Sequence, residues 1–308
     1  MLKRAATGCE GECSGMAQEA RCVWQARALL GEGPLWSPRQ DAVFFVDIRG
    51  SRILRHGLSD GAQAVWELDD AACWLVESAD GNGFIAGLRS RHVVRLLLEP
   101  GQVVIAEELA RIEPDRPGNR LNDGKADAQG RLWVGSMDDA EEAPAGSFYR
   151  IDPDGAVTKV DEGYTVANGP ALSPDGRTIY HTDSAARTIH AFDIGADGSL
   201  SGKRVHIRFG EADGYPDGMT CDAEGGLWVA HWDGGRVSRF RPDGTLDRAI
   251  ALPVSRVTSC VFAGPNLDRL FITTAAHGRP EEPLAGALFE CDPGVRGLPP
   301  GRFGSPPR

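Results

Sequence analysis

The stretch RLNDGKADAQGRLWVGS, Arg120 to Ser136, joins two kinds of text. From Asp127 onward it reads as a polar turn and then a short alternating run, the pattern of a half-buried strand. Ahead of the turn, Arg120, Asn122, Asp123 and Lys125 crowd into six residues, where a strand packed in a core would be apolar. That half is either a charged loop that happens to precede a strand or the lining of a site.

The strand half recurs. AVFFVD (from Ala42), GFIAGL (Gly83), RLWVGS (Arg131), TIYHTD (Thr178), GLWVAH (Gly226) and RLFITT (Arg269) start 41, 48, 47, 48 and 43 positions apart. Each follows a turn rich in Asp, Gly or Pro, and each leads into a further alternating run: RILRH, HVVRL, SFYRID, TIHAFD, RVSRF and ALFECD. Periodicity near 3.6 is almost absent, and the best helix candidate, AEELARIEP, is short. Short strands in hairpins, repeated at this spacing, indicate a β-propeller with four-stranded antiparallel blades, and six repeats give six blades in one all-β domain. The WD and GH signatures of one propeller class are missing. A β-sandwich, or a pair of them, is the competing fold, and six units at one period argue against it.

Composition sets the outer bounds. The 308 residues carry 33 Lys and Arg against 44 Asp and Glu, a formal charge of −11. This argues against a nucleic-acid partner or an anionic membrane surface, both of which need a basic face. It suits a cation-binding protein, although an acidic solvated surface accounts for it equally well. Cysteines at 9, 13, 22, 73, 221, 260 and 291 are odd in number and form no CxxC pair, which points to reduced thiols and a cytoplasmic protein. No apolar run approaches the roughly 20 residues of a membrane span. Residues 1–20 lack the apolar core of a secretory signal and read as a disordered extension, with Met16 an alternative start. The propeller is expected over 21–304, with a tail at 305–308. The Pro/Gly-rich run from Gly294 is expected to be loosely held. The sequence is silent on oligomeric state.

In a propeller the first strand of each blade lines the channel, so residues some 8 to 10 positions before each repeated run should approach the axis. They are Glu32, Trp74, Asn122 with Asp123, Asn168, Asp217, and Ser259 with Cys260. Four of the six blades thus supply a carboxylate or amide oxygen at nearly one phase. Three share a form, Glu32-Gly33-Pro34, Asn168-Gly169-Pro170 and Asp217-Gly218-Met219, in which glycine lets backbones crowd near an axis. Any single such dipeptide is more simply a turn, so the recurrence carries the argument. Two carboxylates in one narrow channel repel unless something positive lies between them, and a divalent cation is the simplest solution. Carboxylate and amide oxygens suit Ca²⁺, Mg²⁺ or Mn²⁺, with Zn²⁺ or Fe²⁺ also accommodated.

Other chemistries are not supported. No G-x-S-x-G, P-loop or H-E-x-x-H is present, and GEGPLW has Pro34 and no following helix, so it is no dinucleotide loop. His181 and His231 are expected to be hydrogen-bonded structural residues, and Trp36, Trp133 and Trp228 core aromatics. Trp74 and Trp232 are expected at the channel mouth, where an indole face can stack on a sugar ring.

LLGEGPLWSP, NRLNDGKADAQGRLWVGSM, NGPALSPDGRTIYHTDS and YPDGMTCDAEGGLWVAHW resemble the recurring motifs of the regucalcin/gluconolactonase (senescence marker protein) lactonase family, over nearly the whole chain from about Cys22 to Gly304. The resemblance implies a six-bladed propeller with one divalent metal in its channel and hydrolysis of sugar-acid lactones such as glucono-, xylono- or arabinonolactone. It carries the metal-ligand role onto Glu32, Asn168 and Asp217, and substrate contact onto Arg120 and Asn122. Relatives also use an acidic residue just after this strand. GSMDDAEEAP is one residue longer than the family's form, so Asp139, Glu141 and Glu142 compete, with Glu141 the one assigned. Asp123, adjacent to the site, is a further substrate-contact candidate. EEAPAGSFYRID, GYTVANGPALSPDGRTIYH and LPVSRVTSCVFAGP lean toward the bacterial pentonolactonases. In the expected mechanism the metal polarises the lactone carbonyl, Asp217 accepts a proton from the attacking water, and Arg120 and Asn122 hold ring hydroxyls. Two other readings of such a propeller are a phosphotriesterase-like hydrolase and a non-enzymatic calcium-binding scaffold.

Overall fold

The computed structural model describes residues 19–304. All but the last two residues of the expected extension at 1–20, with Cys9, Cys13 and Met16, lie outside the described residues, as does the tail at 305–308. Among the described residues twenty-five strands are arranged in six sheets. Residues 31–67, 72–111, 119–164, 167–208 and 215–251 each form one blade of four consecutive antiparallel strands, and the ring is a six-bladed β-propeller. The sixth blade takes three strands from 257–291 and its outermost from the other end of the chain: Arg21–Trp24 pairs with Leu288–Cys291. An Arg21–Glu290 ion pair of 2.7 Å reinforces that seam.

Local chemistry explains the repeat. In DAQGRLWV and DAEGGLWV the leading aspartate closes the hairpin turn. Asp127 Oδ1 accepts from the Gln129 and Arg131 amides, and Asp222 Oδ1 from those of Glu224 and Gly226. The other oxygen of each accepts from the indole N–H of the strand tryptophan, Trp133 or Trp228, at 2.8 Å. Buried Trp nitrogens need a partner, and the turn supplies it. Trp36, Trp133 and Trp228 are buried in the core, as expected.

Two expectations are corrected. AEELARIEP does not form a helix; most of it lies in the strand Gln102–Arg111, paired along its length with His92–Glu99. Its short periodic pattern has no apolar stripe wide enough to dock as a helix, and a neighbouring strand offers a full hydrogen-bond ladder. Among the described residues the one helical element is a single 3₁₀ turn, Glu211–Asp213, and no helix is long and apolar enough to cross a membrane. The Pro/Gly-rich end is also not loose as far as Gly304. Arg302–Phe303 adds a parallel strand beside the innermost strand of the second blade, Phe303 is buried, and Arg302 Nε donates to Glu77 Oε2 at 2.9 Å.

The innermost strands, Gly31–Ser37, Ala72–Ser78, Asn119–Ala126, Ala167–Leu172, Tyr215–Cys221 and Val257–Ala263, share an irregularity. Each slips register against its neighbour early in the strand: at 32/35, 72/74, 121/124, 168/171, 216/219 and 257/259. A bulge releases side chains from the alternation of a flat strand and re-aims them. All six bulges fall at the phase of the residues singled out above.

Candidate functional site

At those bulges Glu32, Arg120, Asn122, Asp123, Asn168 and Asp217 are all buried, an unusual concentration of polar groups. The glycine after each carboxylate has two jobs. Its N–H binds the preceding side chain: Gly33 N to Glu32 Oε2 at 3.0 Å, Gly124 N to Asp123 Oδ1 at 2.7 Å, and Gly218 N to Asp217. It also lets the next blade approach. A methyl group at Gly218 would sit 2.2 Å from Ser259 Oγ, and one at Gly169, whose φ of +74° already excludes most side chains, 2.5 Å from Met219 Cε.

Glu32 and Asp217 lie within hydrogen-bonding reach of one another. Burial, then the Asp123 charge, pushes the Glu32 carboxyl up to about 8. Burial, then Glu32, then Asp123, pushes Asp217 well above the usual carboxylate range. Asp123 is raised to about 6 by burial, against the pull of Lys125, and its Oδ2 has no hydrogen-bond partner among the described residues. Three crowded carboxyls, one with an orphaned oxygen, call for positive charge. Among the described residues no three His, Cys, Asp or Glu side chains form a metal cluster by themselves. A cation between Glu32 and Asp217 would take its third oxygen from the Asn168 amide, and this all-oxygen set fits a hard divalent ion.

A hydrogen-bond relay ties the substrate side to the carboxylates. Arg120 Nη1 donates to Asn122 Oδ1 at 2.6 Å, and Asn122 Nδ2 to Asn168 Oδ1 at 2.9 Å. Asn168 Nδ2 donates to Ser184 Oγ at 2.9 Å, and Ser184 Oγ to the carbonyl of Pro216, beside Asp217, at 2.6 Å. The relay crosses three blades and fixes which face of the Asn168 amide is oxygen. Ser184 is a member of this relay that motif reading missed. Its only signal is its position directly after the repeated strand TIYHTD, in a turn of ordinary composition.

Above the relay a cavity of about 350 Å³ opens to solvent, with Arg49, Arg89, Arg120, Asp139, Glu141 and His277 in its wall. Asp139 is gripped by Arg89, at 3.2 and 2.6 Å, and lies 3.2 Å from Arg120 Nε. Glu141 stands 3.9 Å from Arg120 Nη2 with no hydrogen bond to its carboxylate among the described residues, and it holds a left-handed φ of +62°. Glu142 is exposed and outside this wall. Of the three competing acids, Glu141 is therefore the one beside Arg120 with a carboxylate to offer. A larger cavity, about 520 Å³, lies along the later halves of the inner strands and is capped by 298–301. Its lining is mainly apolar, so the smaller, charged mouth suits a sugar better.

Other expectations change. His181 is structural but not hydrogen-bonded: both ring nitrogens lack partners among the described residues, and the ring stacks on Phe148 with Tyr164 at its edge. Burial drives its pKa well down, so it stays neutral. His231 does bond, Nδ1 lying 2.7 Å from the Asp213 carbonyl. Trp74 offers no open face at the mouth; it is fully buried against Gly87 and Gly124. The Trp232 ring is covered by the Arg256 guanidinium at 4.4 Å.

Comparison with known proteins identifies the family. The profile of the SMP-30/Gluconolactonase/LRE-like region matches residues 30–276. Regucalcin of Gallus gallus is 33% identical over 297 residues, covering 92% of this chain and 97% of that protein. The pentonolactonase XacC of Haloferax volcanii is 34% identical over 282 residues, covering 88% and 93%. The crystal structure of a calcium-binding protein, regucalcin, from Agrobacterium tumefaciens superposes with a TM-score of 0.85 at 28% identity, covering 93% of this chain and 97% of that one. Matched across most of its length in both sequence and fold, this chain belongs to the SMP-30/gluconolactonase/LRE-like family.

Proposed function

We propose that this chain is a carboxylic-ester hydrolase that opens sugar-acid lactones to the free acid, using one divalent cation held by Glu32, Asn168 and Asp217. The observation that carries the reading is the convergence of raised, crowded carboxyls at one end of a relay whose other end, Arg120, faces a charged, sugar-sized mouth. The pentonolactonase and regucalcin relatives support the substrate class. The all-oxygen donor set and the calcium-binding relative make Ca²⁺ the first ion to test.

When bound, the cation supplies Lewis acidity toward the ester carbonyl and acidifies water. The residues do the rest. Water adds to the carbonyl carbon, the ring C–O bond breaks, and the departing ring oxygen takes a proton, leaving a hydroxy acid. Asp217 accepts the attacking water's proton on a carboxylate oxygen and can pass it to the ring oxygen. Arg120 has Nη1 committed to Asn122 and to the Leu121 carbonyl, which leaves Nη2 to donate to a ring hydroxyl. Glu141 accepts from a second hydroxyl. Asn122 already spends its amide on Arg120, Asn168 and the Ala167 carbonyl, so it acts mainly by aligning its neighbours, with one Oδ1 lone pair left for substrate. Asp123 bears on the site through its charge. The described cysteines are free thiols, in keeping with a cytoplasmic enzyme.

The test is a pH-stat assay of glucono-, xylono- and arabinonolactone with chelated protein and with single metals restored, beside a paraoxon-type ester. Metal-dependent acid release from the lactones supports the reading. Faster turnover of the phosphotriester, or equal lactone turnover by chelated protein, would refute it.

A further inference from the structure

The mouth holds a guanidinium that donates no hydrogen bond among the described residues. Three arginines face two carboxylates there. Arg89 and Arg120 converge on Asp139. Glu141 stands between Arg120 and Arg49, 3.9 Å from Arg120 Nη2 and 4.0 Å from Arg49 Nη2, beyond hydrogen-bond range of both. Arg49 donates no hydrogen bond among the described residues, so the wall carries one uncompensated positive charge from these five side chains.

The backbone that presents Arg49 is built with care. Asp47, fully buried, accepts from the amides of Leu29, Leu30 and Gly50 and from Arg52, all at 2.7–3.0 Å. Ile48 N donates to the Leu30 carbonyl. At Gly50 even a Cβ would fall 2.2 Å from Asp47 Oδ2, so the turn closes directly over the carboxylate. Arg49 thus rises from a clamped turn while its own side chain is held only by the long ion pair to Glu141, an arrangement that lowers the ordering cost of gripping a ligand.

Resting on the lactonase reading, we propose that Arg49 recognises an anionic substituent on the substrate, and that the preferred substrates are lactones of sugar diacids, with a carboxylate on the carbon remote from the ester. With the ester at Glu32, Asn168 and Asp217 and the ring over Arg120 and Glu141, the substituent leaving the ring would meet Arg49, which lines the same cavity on the far side of Glu141 from Arg120. A guanidinium matches a carboxylate with two parallel N–H donors, whereas a hydroxymethyl group can use only one.

The 1,4-lactones of glucaric and gluconic acid test this, since they differ only in carboxylate against hydroxymethyl at the terminal carbon. With metal-loaded protein, kcat/KM should favour the glucaric lactone, and added salt should shrink the preference. Arg49→Gln should lower the ratio of the two kcat/KM values about fivefold, chiefly through KM of the anionic lactone, as befits a partly exposed ion pair. Arg49→Lys should recover part of it. A wild-type preference for the neutral lactone, or a ratio that Arg49→Gln leaves unchanged, overturns the assignment while the lactonase reading stands. Turnover of neither lactone nor any other aldonolactone overturns both.

Discussion

Replacing Glu32 with glutamine should stabilise the metal-free protein at pH 8 while destroying its cation site. The Glu32 carboxyl moves from an ordinary 4.5 to about 8 on folding, because it is buried and faces Asp123. Between those values the folded chain binds more protons than the unfolded one, so the group's contribution to stability falls as pH rises from 4.5 through 8 and is lost above it. At pH 7 the penalty is about 3 kcal/mol, at roughly 1.4 kcal/mol per pH unit, and it belongs jointly to Glu32 and the Asp217 carboxyl beside it. Glutamine keeps the shape, can still accept from Gly33 N–H, and can donate to Asp217. Urea unfolding of chelated wild type and Glu32→Gln at pH 5 and pH 8 measures the effect. The variant should show the flatter pH dependence and be the more stable protein at pH 8. A variant that is less stable at pH 8, or that keeps the wild-type slope, would show that the axial carboxylates are not in conflict and remove the main physical reason for a cation there.

Three further outcomes are expected. Calcium at 100 times its dissociation constant should stabilise wild type by about 2.7 kcal/mol, seen as a rise in Tm, whereas Asp217→Asn should lose both this rise and lactone turnover; a full shift in the variant would exclude Asp217 as a ligand. Ser184→Ala removes the acceptor of Asn168 Nδ2 and should weaken cation affinity by at least about tenfold in calorimetric titration, because such partners orient the ligands they touch. Equal affinities would make the relay incidental. Asp222→Ala leaves the Trp228 indole and two turn amides unpaired in the core, strips Arg239 of one of its three carboxylate partners, and should cost about 3–5 kcal/mol in urea unfolding; a loss below 1 kcal/mol would contradict the role given to the aspartate-led turns.

How far reading went depended on the kind of interaction. The repeat interval and alternation are local properties, so the six blades and the strand pairs could be counted from text. The phase of Glu32, Asn122, Asp123, Asn168 and Asp217 could be counted too, because every blade repeats one path from axis to rim. AEELARIEP misled because a weak local period says nothing of the strand waiting beside it. Trp74 misled because phase places a residue near the axis but does not say how tightly the neighbouring glycines let the chain close around it. Asp139, Glu141 and Glu142 differ only in where one turn aims them, which no spacing rule resolves.

The sequence by itself therefore determined the ring, the number of its blades and which residues stand at its axis, since periodicity and composition are written along one chain. Only the tertiary structure decided what those residues do to one another. The conflict of Glu32, Asp123 and Asp217, the relay through Ser184, and the unspent charge of Arg49 all arise between blades, from groups far apart in the chain whose burial and mutual distance exist only once the ring is closed.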